Sequence, residues 1–178
     1  REPSFILDSS GGHPSIAPRY DIINQTGVEV QATVGGWLLK NEVIYRTGQG
    51  SSFAALAAGF EYTFANVRNS GIDVGVLAEY LYDGRDANIA GDLTIAATAF
   101  DDDVFVGTRL GFNDISDTAV LGGAVIDRED GTTALFLEAS RRLFGSWRLD
   151  LELRSFINSD PRDQLYQLRR DDYLQLNL

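Results

Sequence analysis

The chain has 178 residues, a formal net charge of −11 and no cysteine. This length is enough for one domain with a sizeable core, and the acidic balance excludes nucleic acid as an expected partner, because phosphate binding requires a basic surface. Without cysteine there is no disulfide framework, thiolate nucleophile or cysteine metal site. No window approaches the roughly 18 consecutive apolar residues of a spanning helix, which excludes an α-helical membrane protein.

Apolar and polar residues alternate along most of the chain, and almost no segment has a helical period. Successive side chains of a strand point to opposite faces, so each alternating segment predicts a strand with one apolar and one polar face. Residues 119–126 are apolar on both faces, which leaves their orientation open. In chain order, nine strands are predicted over residues 28–34, 38–45, 54–64, 72–82, 104–112, 119–126, 135–143, 146–156 and 173–178, with 4–7 as a tenth candidate.

Short and long connectors alternate between these strands. Gly35 and Gly36 are typical of a two-residue hairpin turn, whereas residues 83–103 and 158–172 are long, polar and rich in aspartate. The separation by length is only partial. The connectors 46–52 and 127–131 alternate with the short turns, as the two long connectors do, but are themselves short. Residues 89–100 are the one candidate helix. This layout predicts an up-and-down meander with its longer loops at one end, as in outer-membrane barrels.

The fold class predicted for residues 1–178 is therefore all-β, a single antiparallel up-and-down transmembrane β-barrel domain of about 9–10 strands. A meander of this size must close or split into two sheets to remove its edges, and closure is the simpler solution. Aromatic residues cluster at strand ends, where a membrane-interface girdle lies. The residues expected to face lipid or form the girdle are Phe60, Tyr62, Phe64, Tyr80, Tyr82, Phe112, Trp147, Leu149, Leu151 and Leu153.

The polar face carries charges of both signs, which in a closed barrel would line a lumen. Two interpretations stay open: the charges select ions in a pore, or they brace a narrow lumen. On a soluble sheet the same residues would be an ordinary solvated face. The residues expected to line the lumen are Lys40, Glu42, Glu61, Glu79, Arg109, Glu138, Arg142, Arg148, Asp150, Glu152 and Arg154.

The sequence predicts neither an enzyme nor a cofactor. His13 is the only histidine and lies in a Gly/Pro-rich stretch, which does not suit a Ser-His hydrolase. No metal site is expected, and the one candidate is the run Asp101, Asp102 and Asp103, whose carboxylates would suit calcium but lack EF-hand spacing. Asp83, Asp86 and Asp92 lie in the same connector. Contact with anionic lipopolysaccharide would involve the arginines of the last long connector, Arg162, Arg169 and Arg170.

The last six residues, YLQLNL, resemble the start of the C-terminal β-signal of Gram-negative outer-membrane barrels. The chain departs from that signal by ending on Leu178 without a terminal aromatic residue, and it begins on Arg1 without a signal peptide. We therefore expect it to be the C-terminal part of a larger barrel, truncated at both ends. The segments GFEYTF and LAEYLYD are similar to those of an uncharacterised porin-like group.

That resemblance implies an outer-membrane location, with the lipid bilayer and lipopolysaccharide as surroundings and the assembly machinery as a partner of the last strand. The function expected first is a porin-like channel for passive passage of small solutes. The alternatives are a structural or adhesive barrel with a plugged lumen, and a soluble β-barrel or β-sandwich binding module. The sequence specifies neither a solute nor an oligomeric state.

Overall fold

The computed structural model describes residues 4–8, 13, 15–48, 51–85, 92–93, 100–161 and 163–178. Within these residues the protein is all-β, and the only helical segments are the short 3-10 turns Val67–Asn69 and Gln164–Leu168. No described helix is long and apolar enough to span a membrane.

The strands form two antiparallel sheets. The smaller has the order β2 (Ser15–Arg19), β1 (Ser4–Asp8), β7 (Asp92–Leu93). The larger is a nine-stranded meander in which consecutive strands pair, except that β6 pairs with β8 and passes over β7. Its strands are β3 (Asn24–Val34), β4 (Trp37–Thr47), β5 (Phe53–Phe64), β6 (Asp73–Asp83), β8 (Asp102–Gly111), β9 (Ala119–Asp127), β10 (Thr133–Arg142), β11 (Arg148–Ile157) and β12 (Tyr173–Asn177).

The prediction of an antiparallel up-and-down meander is confirmed, because every predicted strand is present and joins its sequence neighbour. Residues 4–7 also form a strand, but β1 pairs with β2 and β7 instead of extending the meander. Most of the helical candidate at 89–100 lies outside the described residues, and its described pair Asp92–Leu93 is a strand. Within the described residues β3 and β12 do not pair, so the nine-stranded sheet is open.

The strand registers give this sheet two distinct faces. One cross-strand row runs through Glu61, Leu77 and Gly107, and the side chains in register with it form what we call the polar face. The neighbouring row through Phe60, Ala78 and Val106 belongs to the apolar face. In β9, whose orientation was open, Leu121 and Val125 lie on the polar face and Val120, Ala124 and Ile126 on the apolar face.

The connectors lie at two opposite edges of the nine-stranded sheet. Those at residues 35–36, 65–72, 112–118 and 143–147 lie at one edge of the sheet, which we call the turn edge. At the opposite edge, which we call the loop edge, lie the described residues 48, 51–52, 84–85, 100–101, 128–132, 158–161 and 163–172. Gly35 adopts a φ of 61°, so the predicted two-residue turn uses a conformation that glycine favours.

No described part of the chain covers the apolar face. The only apolar side chains buried among the described residues are Phe53 (8% exposed) and Leu165 (6%), and both lie on the polar-face side of the sheet. On the apolar face, by contrast, Val30, Phe64 and Leu174 are each at least half exposed. A soluble two-layer fold would cover this face with a second layer, and no described residue does so.

Glycines on the polar face make room for large side chains. A Cβ on Gly123 would lie 2.6 Å from a ring carbon of Phe105 and 2.6 Å from the backbone oxygen of Val106. The gap is filled by the rings of Phe105 and Phe136, whose centroids are 5.3 Å apart. A strand glycine at such a position permits close packing that any other residue would block.

We expect Gly123→Ala to lower the free energy of unfolding by about 1–3 kcal/mol through overpacking. Gly111→Ala is the matched control, because the nearest atom to its new Cβ would be Asp73 Cβ at 4.0 Å. Urea unfolding in detergent micelles measures both. Equal stability of the two variants would show that the close packing around Gly123 is not required.

Candidate functional site

All eleven residues expected to line a lumen lie on the polar face: Lys40, Glu42, Glu61, Glu79, Arg109, Glu138, Arg142, Arg148, Asp150, Glu152 and Arg154. The eight girdle or lipid-facing residues that fall within strands lie on the apolar face: Phe60, Tyr62, Phe64, Tyr80, Tyr82, Leu149, Leu151 and Leu153. Phe112 and Trp147 are in turn-edge connectors, outside the strands. The sequence alternation therefore assigned the faces of the sheet without a register error.

Arg154 is the centre of the charged network on the polar face. Its Nη2 lies 2.8 Å from Glu138 Oε1 and its Nε 3.0 Å from Glu152 Oε1. The guanidinium also lies over the ring of Phe136, 5.4 Å from the centroid. The hydroxyl of Tyr173 donates a hydrogen bond to the same Glu152 carboxylate. One arginine thus connects β10, β11 and β12.

The network does not extend over the whole polar face. Arg148 pairs with Asp150 at 2.9 Å and Arg109 with Glu61 at 3.7 Å, while Arg142 reaches Asp117 in a turn-edge connector at 4.0 Å. In the described part of the chain, no ion pair involves Lys40, Glu42 or Glu79. Together with Glu29 and Gln31, these three line a cavity of about 140 Å³ across β3 to β6.

A second cavity, of about 530 Å³, lies against the polar face near the loop edge. Its wall is apolar, with Phe105, Phe136 and Phe156 contributing rings, and Glu79 and Arg154 lie at its border. The 3-10 turn Gln164–Leu168 places Leu165 in this cavity. Sequence reasoning missed this apolar patch. A signal was present, because Leu135 and Leu137 were assigned to the apolar face and Phe136 between them must point to the polar face.

Aromatic side chains gather at both ends of the apolar face. Near the turn edge, Trp37 packs on Tyr62 (centroids 4.7 Å apart) and on Phe60 (5.5 Å), and Tyr62 packs on Phe64 (4.7 Å). Tyr45, Tyr80 and Tyr82 lie toward the loop edge. Aliphatic residues such as Leu151 and Val106 lie between the two aromatic groups.

A charged cluster marks the loop-edge end of the apolar face. Tyr80 Oη donates a 2.7 Å hydrogen bond to Asp102 Oδ1, and Arg128 Nη1 is 2.7 Å from the same oxygen. Asp102 is therefore held by Arg128 and Tyr80, on the opposite side of β8 from Asp103. The candidate run Asp101–Asp103 does not act as one ligand set, because neighbouring strand residues diverge.

Five other carboxylates form what we call the acidic corner, at the loop edge. Carboxylate oxygens of Asp101, Asp103 and Asp127 lie within 4.8 Å of one another, and so do those of Asp127, Asp130 and Asp163. The residues come from three separate connectors or strand ends. The sequence revealed only Asp101 and Asp103 as candidates, because the others lie 24 or more positions further along the chain.

Asp103 is the most buried member of the acidic corner, with 1% of its surface exposed. It lies outside the aliphatic stretch of β8, which begins at Val104. Burial, and then the neighbouring Asp127 carboxylate, raise the pKa of Asp103 to about 7. The same two causes raise the pKa of Asp101 above its ordinary value. The Oδ2 atom of Asp103 is buried without a hydrogen-bond partner.

The remaining predicted site residues do not assemble. His13 is exposed, Arg170 is exposed, and Arg169 stacks on the Tyr166 ring at 3.9 Å. Asp83 pairs with Arg85 at 3.0 Å. Arg162, Asp86 and the side chain of Asp92 lie outside the described residues.

No protein-family model matches the chain, and neither a curated protein nor a solved structure matches it. Its resemblance to outer-membrane barrels therefore stays a prediction, and the functional assignment depends on the geometry of the two faces.

Replacing Arg154 by Met should lower the free energy of unfolding by about 1–2 kcal/mol, because Glu138 and Glu152 would lose their common partner on a half-buried surface. The matched control is Arg148→Met, whose pair with Asp150 is more exposed and should matter less. Urea unfolding compares the two variants. A larger loss for Arg148→Met would contradict the central role of Arg154.

Proposed function

We propose that this chain forms the wall of a transmembrane β-barrel in a Gram-negative outer membrane, with the polar face lining a passage for small solutes. The observation that supports the proposal most directly is that eight of the nine strands, all but β10, expose large apolar side chains on the apolar face, opposite a face that carries most of the charges. Such a sheet has its hydrophobic surface on the outside, which suits lipid as the surrounding solvent.

The extent of this surface supports lipid over water. Soluble monomers rarely expose a contiguous apolar patch of more than a few hundred Å². Here exposed apolar side chains occur on the first strand of the sheet, in its middle and on the last. The exposed members of the apolar face include Val28, Val30, Val34, Trp37, Leu39, Val43, Phe60, Phe64, Val76, Val106, Ile126, Leu174 and Leu176.

The distribution of ring and charge supports the same orientation. Tyr and Trp favour the membrane interface because one end is apolar and the other polar, and both aromatic groups lie at the ends of the strands. The Asp102–Arg128 pair lies beyond the aliphatic residues, at a height where the headgroup region would solvate it.

A sheet surrounded by lipid must also close into a barrel. In the hydrocarbon region every backbone polar group must be paired, so the open edges of β3 and β12 must bond to each other or to further strands. Nine strands then supply part or all of a barrel wall. The exposed leucines and free edge of β12 suit it as the strand that the outer-membrane assembly machinery would engage, and the exposed Arg170 suits contact with lipopolysaccharide.

A passage is supported over a plugged lumen by the uneven distribution of ion pairs. Arg154 braces only the β10–β12 side, whereas Lys40, Glu42 and Glu79 lie beside a cavity without a charged partner among the described residues. Unpaired charges on a wet wall set ion preference.

In planar bilayers the reconstituted chain should give discrete conductance steps, and Glu79→Gln should shift the reversal potential in a salt gradient toward lower cation preference. Asp117→Asn is the control, since it removes the same charge from a turn-edge connector outside the proposed passage. A protein that inserts and folds in lipid without conductance at high loading would instead be the structural or adhesive barrel.

Brominated-lipid quenching tests the orientation of the faces. Trp37, in a Trp147→Phe background, should be strongly quenched because it lies on the apolar face. The comparison is Phe136→Trp in a background lacking both natural tryptophans, which places the reporter on the polar face and should be weakly quenched. Equal quenching, or a chain that stays monomeric and folded in plain buffer, would favour the soluble binding module and reject the membrane proposal.

A further inference from the structure

The acidic corner concentrates negative charge at a place where no described arginine or lysine pairs with it. Five carboxylates, from Asp101, Asp103, Asp127, Asp130 and Asp163, form two overlapping triads that share Asp127. Among the described residues none of the five forms an ion pair with Arg or Lys, although Asp83, Asp102 and Asp114 nearby in sequence each do. Like charges at this spacing repel one another unless something positive lies between them.

Asp103 gives the independent indication of a ligand. Its side chain is almost fully buried and its Oδ2 has no hydrogen-bond partner, so the fold leaves a desolvated carboxylate oxygen within a group of other carboxylates. A buried charge without a partner is costly, and natural structures retain one where a metal or catalytic role offsets the cost.

Local hydrogen bonds orient the remaining carboxylates. Asp127 Oδ1 accepts the N–H groups of Glu129 (2.6 Å) and Asp130 (2.9 Å), and these are the bonds that the described residues make to this carboxylate, so its Oδ2 is available. Asp163 Oδ1 accepts the N–H of Leu165 at 2.7 Å. The positions of these side chains are therefore fixed before any ligand arrives, which lowers the entropic cost of binding.

The donor set is chemically specific. All five ligands are carboxylate oxygens, which hard cations prefer, and the histidine and cysteine that transition metals prefer are absent from the corner. Oxygens within 4.8 Å of one another fit in one calcium coordination sphere, whose Ca–O distances of about 2.3–2.6 Å place opposite ligands roughly 5 Å apart.

We infer that the acidic corner binds a hard divalent cation, Ca²⁺ in particular, through Asp101, Asp103 and Asp127, with Asp130 and Asp163 as the second triad around Asp127. The ion in the first triad would join the start of β8 to the end of β9, and the shared Asp127 connects this triad to Asp130 of the β9–β10 connector and Asp163 of the last connector. This inference requires the loop-edge geometry alone and does not depend on a passage through the protein.

The test is calorimetric titration of Ca²⁺ into the folded, EDTA-treated chain, with thermal unfolding in parallel. Ca²⁺ should bind with a dissociation constant of about 1 mM or tighter and should raise the midpoint of unfolding. Mg²⁺ should bind more weakly, because it dehydrates reluctantly and requires a stricter octahedral geometry. Absence of both Ca²⁺ heat and a thermal shift, or equal effects of Mg²⁺, would overturn the inference of a calcium site.

Asp103→Asn and Asp127→Asn should each weaken Ca²⁺ binding by about tenfold or more, because each removes one charged ligand of the first triad. Asp103→Asn should also raise the unfolding midpoint of the metal-free chain, because it removes a buried charge, and this opposite effect separates loss of a ligand from loss of folding. Asp102→Asn is the matched control: it removes the same charge one residue away, on the other side of β8. If Asp102→Asn weakens binding as much as Asp103→Asn, the effect is one of surface charge and the site is rejected.

Discussion

The structure depends on one constraint, the strand register that keeps period-2 alternation aligned across nine strands. A slip of one residue in any strand would exchange its two faces, placing leucines among the arginines and charges among the exposed valines. The pairs Leu137–Leu153 and Glu138–Glu152 of β10 and β11 show both rows in step. The Arg154 network, the aromatic groups and the acidic corner all require this alignment.

The sequence predicted the strands, their order and the faces of their side chains, because alternation is local and each strand reports it independently. It did not reveal the orientation of β9, whose residues are apolar on both faces. The register with the neighbouring strands sets it: Ala124 pairs with Val106 on the apolar face, and Gly123 pairs with Phe136 on the polar face. It also missed the cavity under Leu165, since the lining joins the last connector to strand residues as far back as Glu79, 86 positions earlier.

The acidic corner shows the same limit. The three consecutive aspartates Asp101–Asp103 were one candidate ligand set in the sequence. In the strand, however, Asp102 pairs with Arg128 on one face, whereas Asp103 lies near Asp127 on the other. A run of like residues in a strand is two half-runs, one for each face. The partners of Asp103 come from other connectors, and only the fold brings them together.

In the last connector, the N–H of Leu165 donates a hydrogen bond to the carboxylate of Asp163, so two residues with different surroundings are held together with one residue between them. Asp163 belongs to the acidic corner, while Leu165 fills the cavity on the polar face. The same hydrogen bond therefore fixes the Asp163 carboxylate at the loop edge and the start of the turn that carries Leu165 to the polar face. The loop edge and the polar face are joined through the first turn of a five-residue 3-10 segment.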